Sequence, residues 1–466
     1  MLVLAVCVSA RAQNHTPTPP PCPAHPPAFP DSPWQEDNRY LANPDCHADP
    51  LDRAKFIRLR GDSDDAYLSF GADVRERGEY FDQPNWGAGP DGSAYLLQRY
   101  YMHADAHLGT RVRAFGEVMS SWEHGRIGGP RPNIDVDKLD IHEAFVDVHL
   151  LAPSGDNTVM LRAGRHEMQF GAGNLVSARD GRNNRRSFDG VRATAKLGEW
   201  TADVLAVKPG LKKPGVFDDG FDETNDFWGV YATGPIGAPP GAHLDLYYLG
   251  VLNRAGSYNR GTGREQRETL GGRLWGSRGR WDYTQEYTFQ WGTFAADDIR
   301  AWAIATETGF RMPSASSRPR ISTRADVFSG DGDRAGHTLG TFNALFQKGP
   351  YFSYAETFGN RNVIDLQPTI ELTLPRGVTL KPNAAFFWRS RLQDGLYSTS
   401  GSPIVDGSKS TARYIGSQLA VQAKWATTRR TSVFAEYLHF FPGAFLSQST
   451  PGRSLNYATW WIEFKL

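Results

Sequence analysis

The densest chemistry in this chain lies in Arg179 to Arg192 (RDGRNNRRSFDGVR), where Arg179, Arg182, Arg185, Arg186 and Arg192 are balanced only by Asp180 and Asp189. A guanidinium is a planar fork of donors that matches a carboxylate with two parallel charge-assisted hydrogen bonds. Such a cluster is suited to reversible capture of a carboxylate-bearing ligand. Further arginines alternate with apolar residues elsewhere: Arg75, Arg77, Arg99, Arg111, Arg113, Arg389 and Arg391, with Lys381. From these, the candidate solute-binding set is Arg99, Arg111, Arg113, Arg179, Arg185, Arg186, Arg192, Asp189, Arg389 and Arg391. A series of weak sites moves a solute because each binds well enough to admit it and loosely enough to release it. Asp73, Asp105, Glu117 and Glu286 share the faces of the strand arginines and compete for them; the same pairs equally describe a lattice that only braces a wall.

Other chemistries leave no pattern. There is no G-x-S-x-G, H-E-x-x-H or P-loop, and His103, His107, His142 and His149 have no nucleophile at a fixed spacing. The Gly-rich stretch SGDGDRAG at 329–336 offers Asp331 and Asp333 but lacks the ligand count and terminal Glu of a calcium loop. Catalytic residues, a metal centre and a cofactor are therefore not expected. The formal net charge is zero, which predicts no nucleic-acid partner.

Short alternating segments must position these residues. In YLSFGADVRERGEY, Leu68, Phe70, Ala72 and Val74 point one way while Ser69, Gly71, Asp73, Arg75 and Arg77 point the other. The period recurs over 96–108, 111–118 and 281–291. Strand starts are predicted near 67, 95, 109, 141, 158, 190, 200, 226, 243, 267, 280, 300, 319, 366, 377, 413, 430 and 456. Mean hydropathy is −0.48, and no run approaches the ~20 apolar residues of a membrane helix. With 26 Phe, 18 Tyr, 13 Trp and 48 Gly, the reading is an all-β protein, a transmembrane antiparallel β-barrel of about 18 strands, aromatic at the interfaces. A charge on the lipid face costs roughly 2–4 kcal/mol at the midplane, which turns the strand arginines inward. Gln83–Ser93, Arg126–Lys138, Pro209–Thr224 and Leu392–Thr411 suit long extracellular loops, and 198–199 and 278–279 suit periplasmic turns. The segment 336–363 has no clean period and suits a loop folded onto or into the barrel.

The ends fix the compartment. Leu2–Ala10 is a short apolar run followed by Ala10-Arg11-Ala12, a cleavage pattern that would make residues 1–12 a signal peptide. Residues 13–62 form a Pro-rich periplasmic extension holding Cys22 and Cys46, which either bridge or remain free thiols. Residues 63–466 form the barrel. At the C-terminus, Ala458, Trp460, Ile462, Phe464 and Leu466 make one apolar row, the face expected to meet lipid.

Residues 164–192 (GRHEMQFGAGNLVSARDGRNNRRSFDGVR), with FFWRSRLQDGLYSTSG, ARYIGSQLAVQAKW and FFPGAFL between 386 and 446, closely resemble the alginate-export family of outer-membrane porins. The resemblance implies a monomeric eighteen-stranded barrel with a narrow, Arg-lined lumen that passes an anionic polysaccharide. The Pro-rich extension is not part of it. Expected partners are an anionic saccharide or another small anionic solute, the outer-membrane bilayer, and periplasmic proteins that deliver the solute. A porin taking up small organic anions, an outer-membrane enzyme, and a plugged structural barrel are the other readings.

Overall fold

The computed structural model describes residues 21–59, 64–90, 92–151, 157–313 and 317–466; the cleavage pattern at 1–12 lies outside the described residues. Eighteen long strands form one antiparallel sheet. They are β1 (Ala66–Asp82), β2 (Ser93–Leu108), β3 (Val112–His124), β4 (Asp137–Leu151), β5 (Asn157–His166), β6 (Phe188–Leu197), β7 (Trp200–Leu211), β8 (Asn225–Pro235) and β9 (Ala242–Tyr258). The second half comprises β10 (Gly261–Arg278), β11 (Trp281–Phe294), β12 (Asp297–Arg311), β13 (Arg320–Phe328), β14 (Val363–Leu374), β15 (Val378–Arg389), β16 (Tyr414–Ala426), β17 (Thr431–Pro442) and β18 (Leu455–Lys465). Each strand pairs with its neighbour in sequence, and β1 pairs with β18 from Asp73↔Lys465 to Asp82↔Asn456. The sheet therefore closes on itself, leaving no lipid-facing edge with unpaired amides.

The alternation sorts the faces as predicted. On β18, Trp460 and Ile462 are 49% and 47% exposed, whereas Trp461 is 8% and Tyr457 0% exposed. The first row is the lipid face and the second the interior. The largest departures are two strands that begin at least four residues early: β10 at Gly261 rather than 267, and β4 at Asp137 rather than 141. In β10 the glycines read as turn residues, yet Gly263 pairs with Gly256 across the tight connection from β9. Long connections gather at one end, which is extracellular by the usual asymmetry of outer-membrane barrels.

The interior is packed. Loops 167–187 and 329–362 turn into the barrel, where Phe346 meets Phe188 and Phe227, and Phe352 meets Phe358 and Phe387, at centroid distances of 4.9–5.4 Å. Each such side chain removed from water contributes about 1.5–3 kcal/mol. The aperiodic stretch 336–363 thus lies inside, as a folded-in loop.

The extension docks across the periplasmic mouth. Four short 3-10 turns run between Pro33 and Lys55, and Cys22 is bonded to Cys46. Leu41, Ala42, Cys46 and Phe56 pack on Tyr67 of β1. Fully buried Asp52 accepts from Arg429 at 3.0 Å and Arg430 at 2.6 Å, and Asp49 pairs with Arg430 at 2.8 Å, tying the extension to the β16–β17 turn. Removing one partner of a buried pair costs about 3–5 kcal/mol. Asp52→Ala is therefore expected to free the extension. Limited proteolysis should cleave the variant before residue 57 faster than the wild type, while the heat-modifiable mobility of the folded barrel stays unchanged.

Candidate functional site

Loop 167–187 is held in the lumen by side chains of the wall. The Asn183 amide donates to the carbonyls of Gln98, Trp122 and Asp135 at 3.0, 3.1 and 2.8 Å. Arg75 donates to the carbonyls of Asp180 and Arg182 at 3.0 and 2.6 Å, and Arg77 to that of Gly181 at 2.5 Å. The Tyr101 hydroxyl accepts from the Arg185 amide at 3.0 Å. Gly171, at φ 54°, makes the bend beside the opposite wall, where a Cβ would sit 2.5 Å from the Tyr231 hydroxyl. The loop thereby crosses the lumen, and loop 329–362 joins its edge. The Phe346 amide donates to Leu175 at 2.8 Å, the Ser177 amide to Phe346 at 3.0 Å and the Lys348 amide to Gly173 at 2.9 Å. Together the loops partition the interior.

Most inward arginines are committed. Arg99 reaches Asp180 at 2.8 Å, Asp73 at 3.0 Å and Glu463 at 3.1 Å. Arg185 pairs with Glu167 at 2.6 Å, Arg192 with Asp203 at 2.8 Å, and Arg113 with Asp105 at 2.7 Å. Asp189 accepts from Arg165 at 2.9 Å, and Arg182 pairs with Glu356. Arg389 is fully buried but clamps an extracellular loop, donating to the carbonyls of Leu392, Gly407, Ser410 and Ala412 at 2.7–3.0 Å. Two expected members do not join the lumen: Arg111 lies on the exposed β2–β3 turn, and Arg391 is exposed on the β15–β16 loop. Both sit just beyond a strand end, where alternation no longer fixes the direction of a side chain. Lys381, expected in the lumen or at its rim, shares the row of Ala385, Phe387 and Arg389 on β15 and pairs with Glu371 at 2.7 Å.

Beside the two infolded loops, Arg179, Arg186, Lys348 and Arg361 have no carboxylate partner among the described residues, and the same holds for Arg389 in its loop clamp. Arg186 donates to the carbonyls of Phe346, Ser177 and Gln347, the latter two at 3.3 and 3.2 Å. Arg361 donates to Asn343 Oδ1 at 2.6 Å and to the Gly401 carbonyl at 3.1 Å. Lys348 donates to the Ala172 carbonyl at 3.2 Å. Burial, and next Arg179, push Arg186 well below the usual arginine range. Burial, and next Arg131, bring Arg179 down to about 10. A guanidinium nevertheless keeps its proton in a protein, so these groups stay positive where no counterion is supplied.

Two cavities flank the partition. The outer one, about 250 Å³, is lined by Arg179, Arg185, Arg186 and Arg361. The inner one, about 310 Å³, is lined by Arg185, Arg192 and Lys348. Arg185 borders both. The inner cavity is roofed by the extension: the Asp31 carbonyl accepts from Arg185 at 2.7 Å, Ser32 Oγ donates to Glu167 at 2.7 Å, and Trp34 stacks 3.9 Å from the Arg162 guanidinium. Lys348 and Arg361 were missed because their segment has no period to assign a direction. Its density of aromatics was the available signal that it would be buried.

Burial, and next the Arg324 guanidinium, lower Lys348 to about 8, against the opposing pull of Glu286, Glu307 and Asp326. A lysine with a lowered value is charged below it and neutral above it. Anion preference is therefore expected to fall as pH rises from 7 to 9, and Lys348→Gln should flatten that dependence in bilayer reversal-potential measurements. Removal of residues 21–56 is expected to raise single-channel conductance. An unchanged conductance would show that the extension does not obstruct the passage.

The profile of the alginate-export family matches residues 66–460. A comparison with curated proteins finds no match. Among solved structures, opdK of Pseudomonas aeruginosa superposes with a TM-score of 0.58 at 10% identity, covering 85% of this chain and 98% of its own. OccAB1 of Acinetobacter baumannii gives 0.57 at 11% identity, covering 89% and 99%. OccK2 (OpdF) of Pseudomonas aeruginosa, solved in complex with glucuronate, gives 0.55 at 12% identity, covering 86% and 98%.

Proposed function

The chain belongs to the alginate-export family and is a β-barrel porin of the bacterial outer membrane, and on that premise we propose that it passes an anionic saccharide or polysaccharide, alginate-like in carrying carboxylates, through the partition between its two cavities. The observation that carries this reading is the set of four cations without carboxylate partners along the two infolded loops, Arg179, Arg186, Lys348 and Arg361, lining the two cavities while most wall arginines are neutralised. A passing carboxylate supplies the missing counterion to Arg186, Arg179 and Arg361 on one side and to Lys348 on the other. Arg185 and Arg99, held by Glu167, Asp180, Asp73 and Glu463, position the loop and moderate the field. Each site is thereby kept weak enough to release what it binds.

The cavity sizes favour a second reading within the same class. At about 250 and 310 Å³, they lie at or below the low end of the ~300–1,000 Å³ of small-molecule sites. Each suits one sugar unit, so the solute is a single uronate or a chain threaded in single file. The glucuronate held by OccK2 is of that size and charge. The extension on the periplasmic side acts as a resident closure that the solute or a delivery protein must displace.

Two unpaired cations contribute about 1 kcal/mol each to a passing anion at ~4 Å in a watery lumen, which is about fivefold in preference per cation. Arg186→Gln with Arg361→Gln is expected to lower the anion-to-cation permeability ratio several-fold in planar bilayers. It should also abolish current block by oligouronates. A wild-type channel with no anion preference, indifferent to both monomeric and oligomeric uronates, would sink the reading. Block by monomers alone would select the small-anion form.

A further inference from the structure

Away from the passage, at the extracellular end of β4, three aspartates converge. Asp137 and Asp140 begin the strand, and Asp219 arrives on loop 212–224. The Lys138 amide donates to Gly215 at 3.2 Å and the Phe217 amide to Leu139 at 2.9 Å, laying the loop along the strand. One carboxylate oxygen from each aspartate lies within 4.8 Å of the other two.

The three are not equally satisfied. Asp140 accepts from the amides of Ile141 at 2.7 Å and Asp219 at 2.9 Å. Asp219 accepts from Lys212 Nζ at 2.8 Å and the Lys213 amide at 2.7 Å, with Arg165 at 3.8 Å. Asp137 is 0% exposed, and neither of its oxygens has a hydrogen-bond partner. The nearest arginines in sequence, Arg126 and Arg131, are both engaged by Asp135 at 3.2 and 2.7 Å. Burying an ionised carboxylate without a partner is far costlier than any surface pairing can offset. Protonation relieves that cost at Asp137 alone, whereas a cation held between the three carboxylates offsets the charge of all of them.

The geometry points to a divalent-cation site formed by Asp137, Asp140 and Asp219, of the hard, calcium-binding kind. The donor set is all carboxylate, with no histidine or cysteine, which disfavours zinc and copper. Calcium tolerates the irregular spacing of ligands drawn from a strand and a loop, whereas magnesium demands near-ideal octahedral geometry. Sites on extracellular modules work at about 10⁻⁴–10⁻³ M calcium. The cation would fasten loop 212–224 to β4, and the residues flanking that join, Leu211, Lys212 and Asp222, line the outer cavity.

The test uses the full chain folded in detergent and stripped with EDTA, titrated with CaCl2 by calorimetry and followed by limited proteolysis of loop 212–224. One calcium per chain is expected, with the loop protected when it binds and magnesium weaker. Asp137→Asn removes the uncompensated charge, so the variant should fold at least as well as the wild type. It should nevertheless bind calcium roughly tenfold or more weakly and lose calcium-dependent loop protection, while Asp333→Asn in the separate Gly-rich turn leaves both intact. Absence of calcium binding in the wild type, or binding that Asp137→Asn leaves unchanged, overturns the proposal. Neither result bears on the solute or the selectivity of the passage.

Discussion

In hydrocarbon there is no water to satisfy an amide, so a sheet that spans a membrane must pair its first strand with its last. The seam between β1 and β18 meets that requirement here, and most of the architecture follows from it. Once the sheet closes, every strand has one face in lipid and one in the lumen. Polar side chains have only the second available. The rows that end in Trp460 and Ile462 meet lipid, and the alternate rows deliver Arg75, Arg77 and Arg99 inward.

Concentrating so many charges in a confined space creates a second constraint. Each guanidinium needs acceptors, and the wall supplies them in two ways. Some are carboxylates on neighbouring strands, as with Arg113 and Asp105. Others are loop carbonyls, which Arg75 and Arg77 take from residues 180–182. The same arginines that look like a solute ladder in sequence are therefore what draws the basic loop into the lumen. Their satisfaction makes the exceptions informative. Arg186, Arg361 and Lys348 lean on carbonyls and an amide, acceptors that carry no net charge to offset theirs.

The loops and the extension divide the lumen into compartments rather than leaving a hollow pipe. Hydrogen bonds between the edges of residues 173–177 and 346–348 make the partition, and aromatic packing fixes it to both walls. The extension is anchored through Asp52 and Asp49 and reaches Arg185 with a backbone carbonyl.

The sequence by itself determined the barrel, the face each strand turns to lipid, and the start of most strands to within a few residues. These depend on a period of two, which a chain displays without knowledge of its neighbours. It failed at Gly261, where glycines that pair across a tight hairpin resemble a turn. It failed again at Arg111 and Arg391, just past strand ends, where no period applies. Only the tertiary structure decided which arginines are neutralised, because Arg99 finds Glu463 and Arg185 finds Glu167 through closure of the sheet and inward folding of a loop. The unpaired cations, the two cavities and the roof over the inner one arise from contacts between segments far apart in the chain. Periodicity carries no information about such contacts.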